Sequence, residues 1–412
     1  MKRWICGFFA TIVPLAACAG CASSPSVPSA AVVPKAALAP PQRYRVIFSF
    51  GGSDGKQPGA LIGMDGTLYG TTALGGDKGK LCSADGCGTA FSITRAGAER
   101  VLHAFTGGRN GGNPNGLTKL DGVFYGTTAT GGVSSGKCVV VPKSGCGTIF
   151  SITPSGMLHV LYRFQGGSDG AFPVGALTAL NGVLYGVTDS GGSYGSGCSA
   201  GCGTVFSITT AGEENVIYRF GTAPDGTTPA GLTPLAGKLY GTTTNGGAGG
   251  LGTIFRVTTG GEENVLYSFT GSPDGAHPLA PLEELNGAFY GTTEEGGQGN
   301  GSAGFGTVFT VNAAGSESVL YRFQGADDAD PQAPLTTLNG KLYGATPGQS
   351  GRAYGGTIFS VTTAGKHVIL HTFDDKGEGY KPYGLIFIDG KFYGTTLTGG
   401  GGGDGAAFAL TL

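Results

Sequence analysis

The chain has 412 residues, of which 83 are glycine and 21 proline, with charged residues at only 13% and a formal net charge of −2. Glycine at about 20%, against ~7% in ordinary proteins, comes with 40% hydrophobic residues in a regular order; that excludes a disordered low-complexity chain, and the missing Gly-X-Y period excludes collagen. A nearly neutral chain without a long basic run is not built to hold nucleic acid on a charged surface.

Residues 1–17, MKRWICGFFATIVPLAA, place Lys2 and Arg3 before an apolar stretch too short for a membrane span, as in a secretory signal peptide. The stretch closes on Leu15-Ala16-Ala17-Cys18, which resembles the bacterial lipoprotein cleavage box, so Cys18 is the expected lipid-bearing N-terminus. An ordinary small-residue cleavage site is the alternative, and Cys21 fits the box less well. Residues 18–43 read as an Ala/Pro/Ser-rich tether that cannot build a core. Ala19 after the cysteine implies, by similarity to Gram-negative lipoproteins, the outer membrane as the partner at this end.

From residue 44 one unit recurs. A VLYxF-like run comes first (46–50) and returns six times, as at 101–105 and 216–220. A proline follows, Pro58 in the first unit and Pro382 in the seventh, then an Asn-Gly or Asp-Gly type of turn, then a Tyr-Gly step (Tyr69, Tyr125, Tyr185, Tyr240, Tyr290, Tyr343, Tyr393). A Gly-Thr-hydrophobe-Phe run such as GTIFSIT (147–153) completes each unit. All four motifs are short, β-branched or aromatic, and bounded by Gly, Pro and Asn or Asp, which predicts strands; Asn-Gly and Asp-Gly suit two-residue type I′ turns. In GTIFSIT, Ile149 points opposite to Phe150 and Ile152, so the sheet is covered on both faces. Four-stranded units of about 50 residues, buried on both faces, predict an all-β, seven-bladed propeller almost without helices over residues 44–412. We name the strands A (proline to turn), B (Tyr-Gly), C (Gly-Thr-Phe) and D (VLYxF). The chain starts with a lone D strand, 44–50, and ends with A, B and C of the seventh unit, so the first strand is expected to complete the last blade.

The combination LYGTT…GG…GTIFSIT…G…VLYRF resembles the GloVer tandem repeat of the choice-of-anchor proteins, bacterial surface proteins that share the repeat and differ in anchoring device. The resemblance spans all seven units and implies an exported, cell-envelope protein, here with the lipobox as anchor. It supplies no activity and no catalytic residues. The seventh unit departs slightly, with GAAF in place of GTIF.

Alternation of strands puts the D–A and B–C loops on one end of the ring, and that end is where a site is expected, because the B–C loops of the first three units (73–87, 129–146, 189–202) are long. These loops hold the pairs Cys82/Cys87, Cys138/Cys146 and Cys198/Cys202, each second cysteine just before Gly-Thr; local disulfides are the expectation for an exported protein, and zinc is the rival. Asp54, Asp169, Asp225 and Asp274 recur in the D–A loops and could hold a cation or sugar hydroxyls, although Asp-Gly also makes a turn by itself. With Trp4 inside the leader, the loop aromatics Phe172, Tyr194, Phe305 and Tyr354 are the remaining stacking platforms. His103 and His371 replace the tyrosine of the D motif, and His277 lies near Asp274 without a nucleophile. No catalytic residue, metal or cofactor is expected, and nothing in the sequence fixes an oligomeric state.

The resulting expectation is a lipid-anchored envelope module that binds a glycan or protein through its D–A/B–C face, with Asp54, Asp169, Asp225, Asp274, Phe172 and Tyr194 as ligand residues. The competing expectations are an envelope carbohydrate hydrolase or lyase using the same aspartates, and a structural component of the envelope.

Overall fold

The computed structural model describes residues 43–412 except 77, 80, 133–137, 139–144, 196, 299–303, 326–327, 349–353 and 375–376. The signal peptide, Cys18, Cys21 and the tether up to residue 42 lie outside the described residues. Seven sheets repeat one order, A-B-C-D. Blade 3 is representative: A is Ala171–Leu180, B Val183–Ser190, C Thr204–Ile208 and D Glu214–Arg219. Among the described residues the only helical element is the 3-10 turn Gly167–Asp169.

The A–B connections are the expected two-residue turns. In blade 3, Leu180 pairs with Val183, and Asn181 and Gly182 take φ 53° and 78°, both positive as type I′ requires. Ala236 accepts the same left-handed backbone in blade 4 with φ 49°. The proline of strand A lies inside the strand in blades 2, 3, 4 and 7, not at its start. That is tolerated because A is an edge of its sheet, where a missing N–H leaves no ladder bond unmade.

Closure occurs as expected, with the first strand spanning Arg43–Ser49. It pairs antiparallel with Ala406–Thr411, from Arg43↔Thr411 to Ser49↔Ala406. Its register shifts between Val46 and Phe48, at the place where the D strand of blade 3 shifts between Val216 and Tyr218. The N-terminal strand therefore enters the seventh sheet as an ordinary D strand, bulge included.

Between neighbouring blades lie seven clusters of buried side chains. At the blade 1/2 interface Tyr69 meets Phe124 with ring centroids 4.4 Å apart, and Phe105 meets Phe150 at 5.2 Å. Phe150 and Ile152 face blade 1 while Ile149 faces blade 3, the two-sided burial expected from their alternation. The glycine after each tyrosine makes room for the C-strand phenylalanine of its own blade: a Cβ on Gly186 would stand 2.4 Å from Phe206 Cζ and 2.8 Å from Leu177 Cδ2. The structure thus makes this glycine a seat for an aromatic ring.

A polar layer also joins the blades. Tyr162 of strand D donates to Asp169 in the following D–A loop at 2.8 Å, and the Glu214 carboxyl of the next blade lies against the same pair. Tyr218, Asp225 and Glu263 repeat this arrangement, as do Tyr267, Asp274 and Glu317. Blade 5/6 has Tyr321, Asp328 and His367, whose ring stacks on Tyr321 at 4.1 Å and whose Nε2 is 3.0 Å from Asp328. Blade 6/7 has His371, Glu378 and Tyr44, and blade 1/2 replaces the carboxylate with Asn110 beside His103. His103 and His371 thus sit at the tyrosine positions, in the layer between blades. Burial, then the neighbouring aspartate, pushes Glu99, Glu214, Glu263 and Glu317 up to about 7.

Two consequences can be measured. Gly186→Ala forces either Phe206 or the backbone to move, and overpacking of this kind costs roughly 1–3 kcal/mol, read as a lower urea midpoint with an unchanged slope. The four raised glutamates hold a proton more tightly folded than unfolded, so the stability they contribute is full below about pH 4.5 and is lost as pH rises through about 7. The melting temperature is accordingly expected to be higher near pH ~5 than near pH ~8, and the combined Gln variant of Glu214, Glu263 and Glu317 should flatten that slope.

Candidate functional site at the mouth of the axial channel

The strands nearest the axis are the A strands, and each carries one unusual backbone position. The residues before the seven repeated prolines, Gln57, Asn113, Phe172, Thr228, His277, Asp330 and Lys381, all have φ between 55° and 59°. A residue before proline is normally extended, and a left-handed non-glycine residue costs of order 1 kcal/mol or more. A bond to the preceding blade holds this conformation. The N–H of Thr228 donates to Cys202 O at 3.1 Å, that of Asn113 to Cys87 O at 2.7 Å, and that of Phe172 to Cys146 O at 2.9 Å. In blades 5, 6 and 1 the acceptors are Leu251, Phe305 and Asp404, each again just before the glycine that opens strand C.

The three expected disulfides, Cys82–Cys87, Cys138–Cys146 and Cys198–Cys202, are present. In each, the second cysteine is the one whose carbonyl accepts the bond from the next blade, so the cross-link ties a long loop to a blade-to-blade joint. At the seventh joint Asp404 takes this place, and its carboxylate accepts from Gly52 N–H at 3.0 Å and lies 3.4 Å from Lys56 Nζ.

On this repeated frame, the side chains nearest the axis differ from blade to blade. One tier is the left-handed residue itself, of which Gln57 and Thr228 reach the axis; a second follows the proline (Gly59, Asn115, Val174, Ala230, Leu279, Gln332, Tyr383); a third stands at the end of strand B (Ala73, Ala129, Asp189, Thr244, Glu294, Pro347, Leu397). Members of all three tiers line one cavity of about 480 Å³, to which every blade contributes. Because the lining comes from the starts of A strands and the ends of B strands, the cavity opens on the D–A/B–C face. Its inner wall is small and apolar, with Ala60, Gly116, Ala176, Ala230, Pro281 and Pro334, while Gln57, Thr71, Asn115, Asp189, Thr228 and Thr244 bring polar groups. Asp189 accepts from Ser190 Oγ at 2.9 Å. Tyr383 is the one aromatic residue of the wall among the described residues, and burial pushes its phenol up, keeping it protonated.

Blades 4 to 6 carry a second group of titratable residues near this rim. His277 Nδ1 is 2.9 Å from the carbonyl of Thr244, which fixes that nitrogen as the donor and leaves Nε2 facing Glu295 at 3.9 Å. Gln332 donates to Glu294 at 2.7 Å. Burial, then Glu294 and Glu295, pushes Asp330 up to about 6. Among the described residues no group of three or more His, Cys, Asp or Glu is arranged to hold a metal ion.

The residues singled out from the sequence sit elsewhere. Asp169, Asp225 and Asp274 do not converge; each accepts from its own tyrosine and from a loop N–H, as Asp225 does from Gly221 at 2.6 Å, so they build the frame between blades. Asp54 accepts from Ser53 and lies toward Glu99. Phe172 packs on the blade 2/3 core, and Tyr194 is exposed on its loop, at 51%. Phe305 packs on the blade 5/6 core. None of these residues lines the axial cavity. The signal that points to the cavity is in the repeats themselves: the residue after the proline reads Gly, Asn, Val, Ala, Leu, Gln and Tyr while the proline never changes.

Comparison with known proteins bears out this architecture. No curated protein matches the chain. Among solved structures it is similar to a catalytically inactive histidine variant of virginiamycin B lyase from Staphylococcus aureus with quinupristin, at 16% identity and TM-score 0.58, covering 90% of this chain and 99% of that one. It is also similar to the WD40 propeller domain of Doa1, at 11% identity and TM-score 0.52, covering 89% and 96%. At these identities the likeness is one of fold. The Gloeobacter/Verrucomicrobia repeat matches residues 36–200 and 196–408, and on that match, together with the seven repeated units seen in the fold, the chain belongs to this repeat family.

Proposed function

We propose that the chain is a binding module of the cell envelope that holds a small ligand, or the protruding end of a larger one, in the axial cavity on its D–A/B–C face. One observation carries this reading: side chains that differ between blades, chiefly those after the proline and at the end of strand B, line a single cavity, while the frame that positions them is repeated. A cavity of about 480 Å³ has the size of an ordinary small-molecule site, in the range ~300–1,000 Å³. Cross-linked loops suit an extracellular or envelope compartment, and no helix among the described residues is long and apolar enough to cross a membrane. In this reading Cys18 carries the lipid that holds the ring at the membrane, and a glycan end or a peptide side chain reaches the cavity where a folded domain does not.

A second reading is favoured by Asp330, which burial and then Glu294 and Glu295 push up to about 6, so that this one carboxyl can exchange a proton near neutrality. It would make the module an enzyme, as the similar lyase is. That chemistry would belong to the rim of blades 4 to 6 and not to the D–A loop aspartates.

The test is a small-molecule library screened by native mass spectrometry against the purified full chain and its Ala176→Trp variant. Ala176 is exposed inside the channel, so the indole fills the cavity without entering a core. Ligands that bind the unaltered chain are expected to lose at least about tenfold in affinity in the variant, while Tyr194→Ser leaves them unchanged. Ligands that bind both chains equally would place the site elsewhere. Turnover of a bound ligand, lost in Asp330→Asn with binding retained, would establish the second reading.

A further inference from the structure

We propose that the axial cavity selects an organic cation: an ammonium on a compact apolar body, with the charged head on Asp189 and the body against the alanine- and proline-lined wall. The inference rests on the reading of the cavity as the binding site and adds the chemistry of its occupant.

Among the described residues Asp189 is the one carboxylate in the cavity wall, and no lysine, arginine or histidine accompanies it there. One of its oxygens accepts from Ser190 Oγ at 2.9 Å, which steadies the group, and among the described residues it forms no ion pair. Of the lysines on the A strands next to the axis, Lys56 lies between Asp85 and Asp404, 3.4 Å from each, and Lys381, before Pro382, is exposed and does not line the cavity. Around the rim, Glu294, Glu295 and Asp330 stand together on blades 5 and 6, where burial, and then the two glutamates, push the Asp330 carboxyl up. An anionic ligand would therefore meet a carboxylate without a countercharge, at a cost of several kcal/mol if buried. A cation meets a partner.

The rest of the wall fits the same ligand. In the order of the ring, blade 7 stands across the axis from blade 3, so Tyr383 and Asp189 approach a central ligand from opposite sides. The phenol is held protonated by burial and brings no second charge, and its ring can take a cationic head or an apolar body. Between them, Ala60, Ala176, Ala230 and Pro281 offer an apolar surface without donors. Thr228 and Thr244, on blade 4 next to the blade of Asp189, bring further acceptor oxygens to the same wall for the remaining ammonium hydrogens.

Three probes matched in size separate the possibilities: phenethylamine, 2-phenylethanol and 3-phenylpropionate, titrated calorimetrically into the full chain and into its Asp189→Asn and Ala176→Trp variants. The amine is expected to bind at least about tenfold more tightly than the alcohol, since a hydrogen bond to a charged partner is worth ~1.5–3 kcal/mol, and the propionate not to bind. Asp189→Asn should bring the amine down to the alcohol and leave the alcohol unchanged, and Ala176→Trp should exclude both. Should Asp189→Asn fail to fold, a salt series on the unaltered chain replaces it: the amine weakens with ionic strength and the alcohol does not. Alcohol or propionate binding as tightly as the amine, yet lost in Ala176→Trp, overturns the cation preference and leaves the cavity as the site. Amine binding that survives Ala176→Trp, or no binding by any probe, overturns the inference, and the library screen then decides the cavity by itself.

Discussion

A single backbone bond recurs at six of the joints between blades, from the N–H of the residue before the proline to the carbonyl before the glycine that opens strand C, and the remaining architecture depends on it. The donor must turn its amide toward the preceding blade, which is why seven non-glycine residues share a left-handed backbone that none would choose alone. The proline that follows fits because the innermost strand is a sheet edge. The glycine after the acceptor carbonyl is equally constrained, since a Cβ on Gly203 would stand 2.5 Å from Thr188 O and 2.6 Å from Pro229 Cδ of the next blade. Proline and glycine are therefore two halves of one joint, and the buried Thr188–Thr204 hydroxyl pair, 2.8 Å apart, supports it within the sheet.

Given such a joint, side chains at its inner end can change without loss of the ring. The joint itself is made of backbone atoms, so its geometry is indifferent to whether the donor residue is Gln57, Phe172 or His277. Framework and cavity lining are thereby separated by chemistry: backbone bonds, Tyr-Gly seats and Tyr-Asp-Glu layers hold the blades, and the axial side chains are left to vary. The same separation explains the aspartates. Asp169, Asp225 and Asp274 recur because the D–A loops after Tyr162, Tyr218 and Tyr267 each need an acceptor for that tyrosine and for a loop amide, and a group engaged in that way has few lone pairs left for a ligand.

Much of the fold is legible in the sequence because its signals are local and repeated. Asn181-Gly182 dictates a turn through the φ values it permits, and the alternation in GTIFSIT dictates burial on both faces. Even the closing strand can be read, since a chain that starts with D and ends with C has one way to finish its last blade. The site is less legible, for a geometric reason. Asp189, Ala230 and Tyr383 are unrelated in motif and far apart in sequence, and only the ring brings them to one axis. Asp54 and its equivalents stand out by recurrence, and recurrence in a repeat protein marks what every blade needs. Phe172 reads as a loop aromatic, but its left-handed backbone and its contact with the blade 2/3 core both follow from the joint, which no local pattern reveals.

All of this requires that the ring be closed by its two ends, for an open chain of blades has neither a seventh joint nor an axial cavity. The direct measurement is an Arg45→Cys/Ala409→Cys chain, whose two positions are register partners across the closing strands, oxidised and mapped by peptide mass spectrometry. Closure predicts one intramolecular 45–409 disulfide in the monomer beside the three native ones, with a raised unfolding midpoint from the long loop it closes. Reduced thiols at both positions, or 45–409 links found only between molecules, would contradict it.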